Sequence, residues 1–198
     1  MTRRGVDGVA LQEVTERANV GAGTFYNYFT SKEDIARAVL DCHIANLTAR
    51  QAASVGSLRL DDPTAVIAVS AQSCVRELMT NPLWFWWLKR PDLLVERMRA
   101  GFRRDGTRDL AAAQAAEAIH LPLEDVAAAW STLVWQIVAG ARDITDGIRD
   151  AASARAIAVG ILQGFGVPPE KARALAAIEP PPYPRIAVDF SFVLADAN

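Results

Sequence analysis

Two cysteines and two histidines in 198 residues leave little room for several kinds of chemistry. Cys42 and Cys74 have no C-x-x-C spacing and no histidine cluster beside them, so reduced structural thiols are expected rather than a disulfide framework or a zinc site. His43 and His120 lie far apart in the chain, and there is no nucleophile elbow, no phosphate-binding glycine loop and no carboxylate and histidine spacing suited to a metal. Catalysis, a metal and an organic cofactor are all unexpected. No apolar run is long enough to span a bilayer and the N-terminus lacks the apolar core of a secretory signal, so the expected location is the cytoplasm, with no membrane partner. Charge of either sign is not in excess: 21 basic against 23 acidic residues give a net charge of −2, which provides no global attraction to a polyanion. Strand-like alternation is missing before the tail and no internal repeat is visible, which excludes a βαβ scaffold.

What is present is helical. An apolar content of 51% against 22% charged residues is enough for a substantial core. Near the N-terminus Leu11, Val14 and Ala18 fall at i, i+3 and i+7, one apolar stripe on a short helix, and Asn19-Val20-Gly21 supplies turn residues that stop it. Phe25 and Phe29, four apart, stack on one face of a second short helix and can pack on Leu11 and Val14, which turns Thr24, Tyr26, Asn27 and Tyr28 outward. Gly23 removes a side chain where a neighbouring backbone or phosphate must come close. Ser31 followed by Asp34, or Thr30 followed by Glu33, is a capping-box pattern opening a third helix through Ile35, Ala38, Val39 and on toward Ala45. Helix, three-residue turn, helix is the helix-turn-helix pattern.

The run Ala18-Asn19-Val20-Gly21-Ala22-Gly23-Thr24-Phe25-Tyr26-Asn27-Tyr28-Phe29-Thr30-Ser31-Lys32-Glu33 resembles the DNA-binding region of TetR-family transcriptional regulators, A-G-V-S-x-G-T-x-Y-x-Y-F-x-S-K-E, departing at Asn19 for Gly and Gly21 for Ser. Gly21 cannot give the side-chain cap that Ser gives, although Gly is itself an acceptable cap. The resemblance implies a recognition helix from about Gly21 to Tyr28, with Ala22, Gly23, Thr24, Tyr26, Asn27 and Tyr28 facing DNA and Lys32 reaching a phosphate. The chemistry suits those roles, since Thr24 and Asn27 can bond base edges and tyrosine hydroxyls can bond phosphate oxygens. Arg3, Arg4, Lys32 and Arg37 could form a local basic edge. The family also implies a full amphipathic helix upstream. Here only Met1 to Val6 precede a glycine-centred turn at Gly5 to Gly8, so the first helix is expected to be truncated, exposing the backs of Leu11 and Phe29. Val9-Ala10 stands where the family tends to place a Thr that touches phosphate.

The remainder reads as a helical bundle. Asp62-Pro63, Asn81-Pro82 and Leu121-Pro122 place Pro at or near first helical positions and predict helices over about 63–79, 82–90 and 122–143. Val126, Trp130, Leu133, Val134, Ile137 and Val138 define one broad apolar face, which Trp135 and Ala139 extend around the helix, more than one core absorbs. The segment Ala156 to Gly164 behaves likewise. A homodimer through helices near 122–143 and 150–164, packed as a four-helix interface, is the simplest account and the arrangement the resemblance implies. Trp84-Phe85-Trp86-Trp87 cannot all point one way, so part of the run is expected either in core packing or on the wall of a small-molecule pocket, with Trp84, Trp87, Met98, Phe102, His120, Trp130 and Gln136 as its candidate residues and Ser73 as a further polar contact. After Pro180-Pro181-Pro182-Tyr183-Pro184, the alternation Ile186, Val188, Phe190, Phe192, Leu194 predicts an extended arm across the bundle or the dimer mate, with a short helix as the alternative.

Together these features predict an all-α protein with a helix-turn-helix DNA-binding domain over residues 1–45 and a ligand-binding and dimerisation domain over 46–198, ending in an extended tail over 180–198. The expected function is a ligand-responsive regulator, a repressor released from a palindromic operator by a small apolar or aromatic effector. The alternative is a helical small-molecule binding or interaction module with little DNA affinity.

Overall fold

The computed structural model describes residues 6–121 and 125–188, and its regular structure there is entirely helical. Three short elements open the chain: α1 (Leu11–Ala18), α2 (Ala22–Tyr26) and the first turns of α3 (Lys32–Ser57). Helix α1 ends because Asn19 adopts the left-handed conformation, φ 53°, with its N–H bonded to the Glu16 carbonyl and that of Val20 to Thr15. Asparagine is the residue that best tolerates this position when glycine is absent, so the departure from the family pattern is conformationally silent. Along α1 Leu11 and Val14 are half-buried and Thr15 is buried, whereas Ala18, expected on the apolar stripe, is the last helical residue and is exposed.

Helix α2 starts at Gly21 with no side-chain cap and stops at Tyr26; Asn27 and Tyr28 form the turn that follows, two residues short of the expected extent. Its inward residue is Phe25, whose ring packs on Phe29 at 5.6 Å between centroids. The cap of α3 selects the Ser31 and Asp34 register: Ser31 Oγ accepts from the Asp34 N–H at 3.1 Å, and Asp34 Oδ2 accepts in return from the backbone N–H and the hydroxyl of Thr30. Such a cap is worth about 1 kcal/mol. Helix α3 then runs through Ala45 to Ser57, so the expected division at 45/46 falls inside one continuous helix. It is held by Ala36, Leu40, Ile44 and Leu47, buried at helical spacing.

The bundle is built around α4 (Pro63–Thr80), capped by Asp62, whose carboxylate accepts from the Thr64 N–H at 2.8 Å. Helix α4 is buried on most of its circumference and packs on α7 (Arg103–Ala115), α8 (Val126–Thr145), α9 (Ser153–Gly164) and α10 (Pro169–Ala176). The expected helix over 82–90 is instead a turn through Pro82 to Trp84 and a single helical turn, α5 (Phe85–Leu88), before Pro91 starts α6 (Pro91–Gly101). Pro91 requires the residue before it to leave the helical region, and Arg90 does so at φ −128°, ψ 64°. Helix α8 begins at Val126 under an Asp125 cap; the predicted start at Pro122 lies outside the described residues. Gly140 lets α9 come close to α8, since a Cβ there would sit 2.3 Å from Ile157.

The tail is extended as far as it is described. From Ile178 to Val188 it carries no regular structure and lies antiparallel along α3: Ser54 bonds the Pro181 carbonyl, Arg50 that of Pro184, and Asn46 those of Ile186 and Ala187. The predicted alternation at Phe190, Phe192 and Leu194 lies outside the described residues.

Candidate functional site

Two regions concentrate the candidate residues. The first is the outer surface of α2 and its following turn. Ala22, Gly23, Thr24, Tyr26, Asn27 and Tyr28 are all exposed, Tyr26 by 60% and Tyr28 by 53%, while Phe25 is turned inward. A Cβ on Gly23 would meet no protein atom within 4 Å, so any steric demand on that position comes from outside the chain. Lys32 departs from this surface. Its ammonium turns back to donate to the carbonyls of Val9 at 3.2 Å and Asp7 at 3.5 Å. It therefore ties the segment ahead of α1 to the start of α3. Arg37 is exposed, and Arg3 and Arg4 lie outside the described residues.

That same segment is anchored to the bundle. Val6 and Val9 are buried, and the Asp7 carboxylate bonds the Arg90 guanidinium and the Trp86 indole N–H. Arg90 in turn lies over the Trp86 ring, 3.7 Å from its centroid. The Arg90 hydrogen bond holds the Asp7 carboxyl below its ordinary value. Leu11 and Phe29, expected to be bare, are each partly covered.

The second region is a cavity of about 420 Å³ enclosed by α3, α4, the α6–α7 corner and α8. Its walls are mostly apolar, from Val55, Ile67, Leu110, Leu133, Val134 and Ile137, with the Trp130 ring, Met98 and Phe102 closing one side. Polar groups are few: Thr48, Gln51, Ser70, Arg59 and the α7 group Asp105, Arg108 and Asp109. Arg108 bonds both acids, Asp105 Oδ1 at 2.9 Å and Asp109 Oδ1 at 2.8 Å. Burial pushes the Asp109 carboxyl above its ordinary value, and Arg108 opposes that shift. A largely apolar cleft with a few convergent polar groups is the usual form of a small-molecule site.

Three of the seven expected pocket residues, Met98, Phe102 and Trp130, line this cavity. The other four lie elsewhere. Trp84, 1% exposed, fills the core between α3 and α4 with its indole N–H on Glu77 Oε1 at 3.3 Å. Trp87 is buried edge-on against Trp86, ring centroids 4.5 Å apart. His120 is exposed, its backbone N–H bonded to the Phe165 carbonyl. Gln136 is half-buried on α8 and lies outside the lining formed by Trp130, Leu133, Val134 and Ile137. Ser73 is buried in α4, off the lining. The aromatic run thus divides between core and N-terminal anchor and supplies no wall of this cavity, although Trp84 borders a separate pocket with His43, Glu77 and Ile186. Asp105, Arg108 and Asp109 are hidden from sequence reading because an i, i+3, i+4 ion-paired group looks like an ordinary solvated helix face.

A third surface is the outside of α8 and α9. Trp135 is 40% exposed, and Ala139, Ala156 and Gly160 are exposed beside it in sequence pattern. Among the described residues no helix is long and apolar enough to cross a membrane, and no cluster of His, Cys, Asp and Glu could hold a metal ion.

A family model for bacterial regulatory proteins of the tetR family matches residues 1–39. No curated protein sequence matches significantly. Among solved structures the chain is similar to RolR without ligand, with a TM-score of 0.78 and 27% identity over 94% of both chains. It is similar also to RolR in complex with the ligand resorcinol, with a TM-score of 0.79 and 27% identity over 94% of this chain and 90% of that one.

Proposed function

We propose that the chain is a regulator of the tetR family, whose model matches residues 1–39, and that it is a cytoplasmic, dimeric repressor released from a palindromic operator by a small hydroxylated aromatic effector. The observation that carries the reading is the joining of two surfaces by one helix. Helix α3 begins beside the exposed face of α2 and, 16 to 23 residues further on, supplies Thr48, Gln51 and Val55 to the cavity.

The division of labour follows from the chemistry. Thr24 and Asn27 offer hydroxyl and amide groups to base edges, Tyr26 and Tyr28 offer hydroxyls to phosphates, and Phe25 fixes the helix that presents them. Lys32 acts first as the internal tie to Val9 and has donor capacity left for a phosphate. With a net charge of −2 the chain depends on these local contacts rather than on long-range attraction. A two-fold pair formed through Trp135, Ala139 and the small residues of α9 would present two α2 helices to successive major grooves, about 34–36 Å apart.

The effector class comes from the cavity. A volume of about 420 Å³ with one aromatic wall suits a single-ring molecule, and Asp105 and Asp109 are acceptors suited to its hydroxyl groups. RolR, at 27% identity, was solved with resorcinol, a molecule of that size and polarity. Such a ligand releases DNA only to the extent that it binds the non-DNA-binding conformer more tightly than the other.

The test is fluorescence anisotropy on DNA flanking the protein's own gene, with salt and resorcinol titrated separately. Sequence-preferring, salt-sensitive binding that resorcinol or a related phenol reverses supports the reading. Absence of such binding, with phenol binding retained, favours the ligand-binding module without DNA affinity.

A further inference from the structure

The C-terminal arm makes a hydrogen bond to a residue of the effector cavity, Gln51, and that contact constrains what Gln51 can offer a ligand. The Tyr183 hydroxyl donates to Gln51 Oε1 at 2.9 Å. Gln51 lines the cavity, and its amide N–H₂ donates to no acceptor among the described residues. An amide whose oxygen is held on the arm side presents its nitrogen on the other. We propose that the arm is a working part of the effector site, with Tyr183 as a positioning residue that holds the Gln51 amide as a donor toward an oxygen on the ligand. This inference rests on the effector reading above.

The arm is built to hold Tyr183 still. Its carbonyls accept from Ser54 at Pro181, from Arg76 at Pro180 and from Arg50 at Pro184, so the tyrosine is pinned on both sides. Arg50 also covers the ring, 4.8 Å from its centroid, and is itself fixed by Glu77. The proline run limits the backbone freedom of the segment before it docks. A free glutamine side chain loses rotamer entropy on being ordered; with Tyr183 in place, much of that ordering precedes the ligand.

The chemical consequence is a ligand with both kinds of polar atom. Asp105 and Asp109 can only accept when ionised, whereas the Gln51 nitrogen can only donate. A phenolic hydroxyl satisfies either, and a dihydroxybenzene satisfies both at once. A hydrocarbon of the same size satisfies neither.

Titration calorimetry with resorcinol and with toluene separates the possibilities, using the full chain, Tyr183→Phe, Gln51→Met and the double variant, with thermal melts to verify folding. Removing one hydrogen-bonding partner should weaken resorcinol roughly 3–10-fold in Tyr183→Phe, leave toluene unchanged, and make the double variant no weaker than Gln51→Met alone. Equal resorcinol affinity in the wild type and Tyr183→Phe overturns the role of the arm while the effector reading stands. Equal weakening of both probes also overturns it, since that marks a change of shape. Should Tyr183→Phe fail to fold, Gln51→Met decides: unchanged resorcinol affinity there excludes a donor at Gln51. A wild type that binds neither resorcinol nor related phenols removes the effector reading, and the inference with it.

Discussion

Substituting Gly106 by alanine should reverse its effect according to what stands at position 130. A Cβ on Gly106 would lie 2.2, 2.5 and 2.6 Å from three ring carbons of Trp130. Non-bonded carbons rest at about 3.5–4.0 Å, so the ring must retreat by about 1.5 Å. That retreat strains the bond from the Trp130 indole N–H to the Arg99 carbonyl, now 3.1 Å, and pushes the ring toward the cavity it lines. Overpacking of this kind costs about 1–3 kcal/mol, and a weakened hydrogen bond adds about 1. Against this stands the gain of about 1 kcal/mol for replacing glycine by alanine inside α7. The clash should win, leaving Gly106→Ala less stable by about 1–3 kcal/mol.

In a Trp130→Leu background the ring is gone and the helix-propensity gain remains, so the same substitution should stabilise by about 1 kcal/mol. The coupling between the two sites is then about 2–4 kcal/mol, at the upper end of what residues in contact show. Urea unfolding of the four proteins measures it, with an unchanged m-value as the check on two-state comparison. Equal shifts in both backgrounds, or stabilisation by Gly106→Ala with Trp130 present, would refute the close packing of α7 on α8 and with it the placement of the indole as a cavity wall.

Three further outcomes follow from particular groups. The folded-state pKa of Asp7 is held below its ordinary 3.8, chiefly by Arg90, so the contribution of that contact is present above the unfolded value and lost as pH falls through the folded one. Tryptophan emission should therefore change below about pH 4, and Asp7→Asn should abolish that step without altering emission changes elsewhere. Burial pushes the Cys74 thiol up to about 12; at pH 8 only about one thiol in 10⁴ is then thiolate, and iodoacetamide should label Cys74 more than about 10³-fold slower in the folded chain than in urea, read by mass spectrometry. Placing a charge on the outer face of α8 with Trp135→Glu should shift the sedimentation coefficient from dimer to monomer while leaving the far-ultraviolet spectrum unchanged, and an undisturbed dimer would exclude this face as the interface.

The parts of the molecule that could be read from sequence are those decided within a few residues. Ser31 with Asp34, Asp62 with Pro63, and Asn19 at a left-handed turn each carry their structural meaning in their own side chains, and the corresponding helix ends are where the pattern puts them. The length of α3 was underread for a similar reason: no proline or glycine interrupts Lys32 to Val55, so nothing local marks an end near Ala45. Distribution of the aromatic run was beyond such reading. Whether Trp84 fills the core or lines a cavity depends on Glu77 seven residues earlier, and Trp86 finds Asp7, 79 residues away. The proline-rich arm announced its extended form, but not the flank of α3 that receives it. The cavity's polar group was concealed by its own pairing, since Asp105, Arg108 and Asp109 satisfy one another as any exposed helix trio does.

These features meet on α3, and their spacing there sets a mechanical constraint on the proposed switch. From Gln51 back to Lys32 is 19 residues of helix, about 28 Å at 1.5 Å per residue. A tilt of about 5° about the cavity end would carry the Lys32 end about 2.5 Å, far beyond what the bonds from Lys32 to Val9 and Asp7 tolerate. The segment ahead of α1 is meanwhile fastened to Arg90 and Trp86, at the opposite end of α6 from the cavity residue Met98. A ligand that changes the angle between α3 and α6 therefore cannot leave both attachments intact. One of them must yield, and the solvent-exposed Asp7 contact is weaker than the buried apolar seams of α3. The arm works against this movement, because Asn46, Arg50 and Ser54 are held to it along the middle of the lever. Loosening the arm at Tyr183 should thus do two things at once on the proposed reading: weaken the ligand at Gln51, and lower the restoring force that keeps α2 in the orientation seen here.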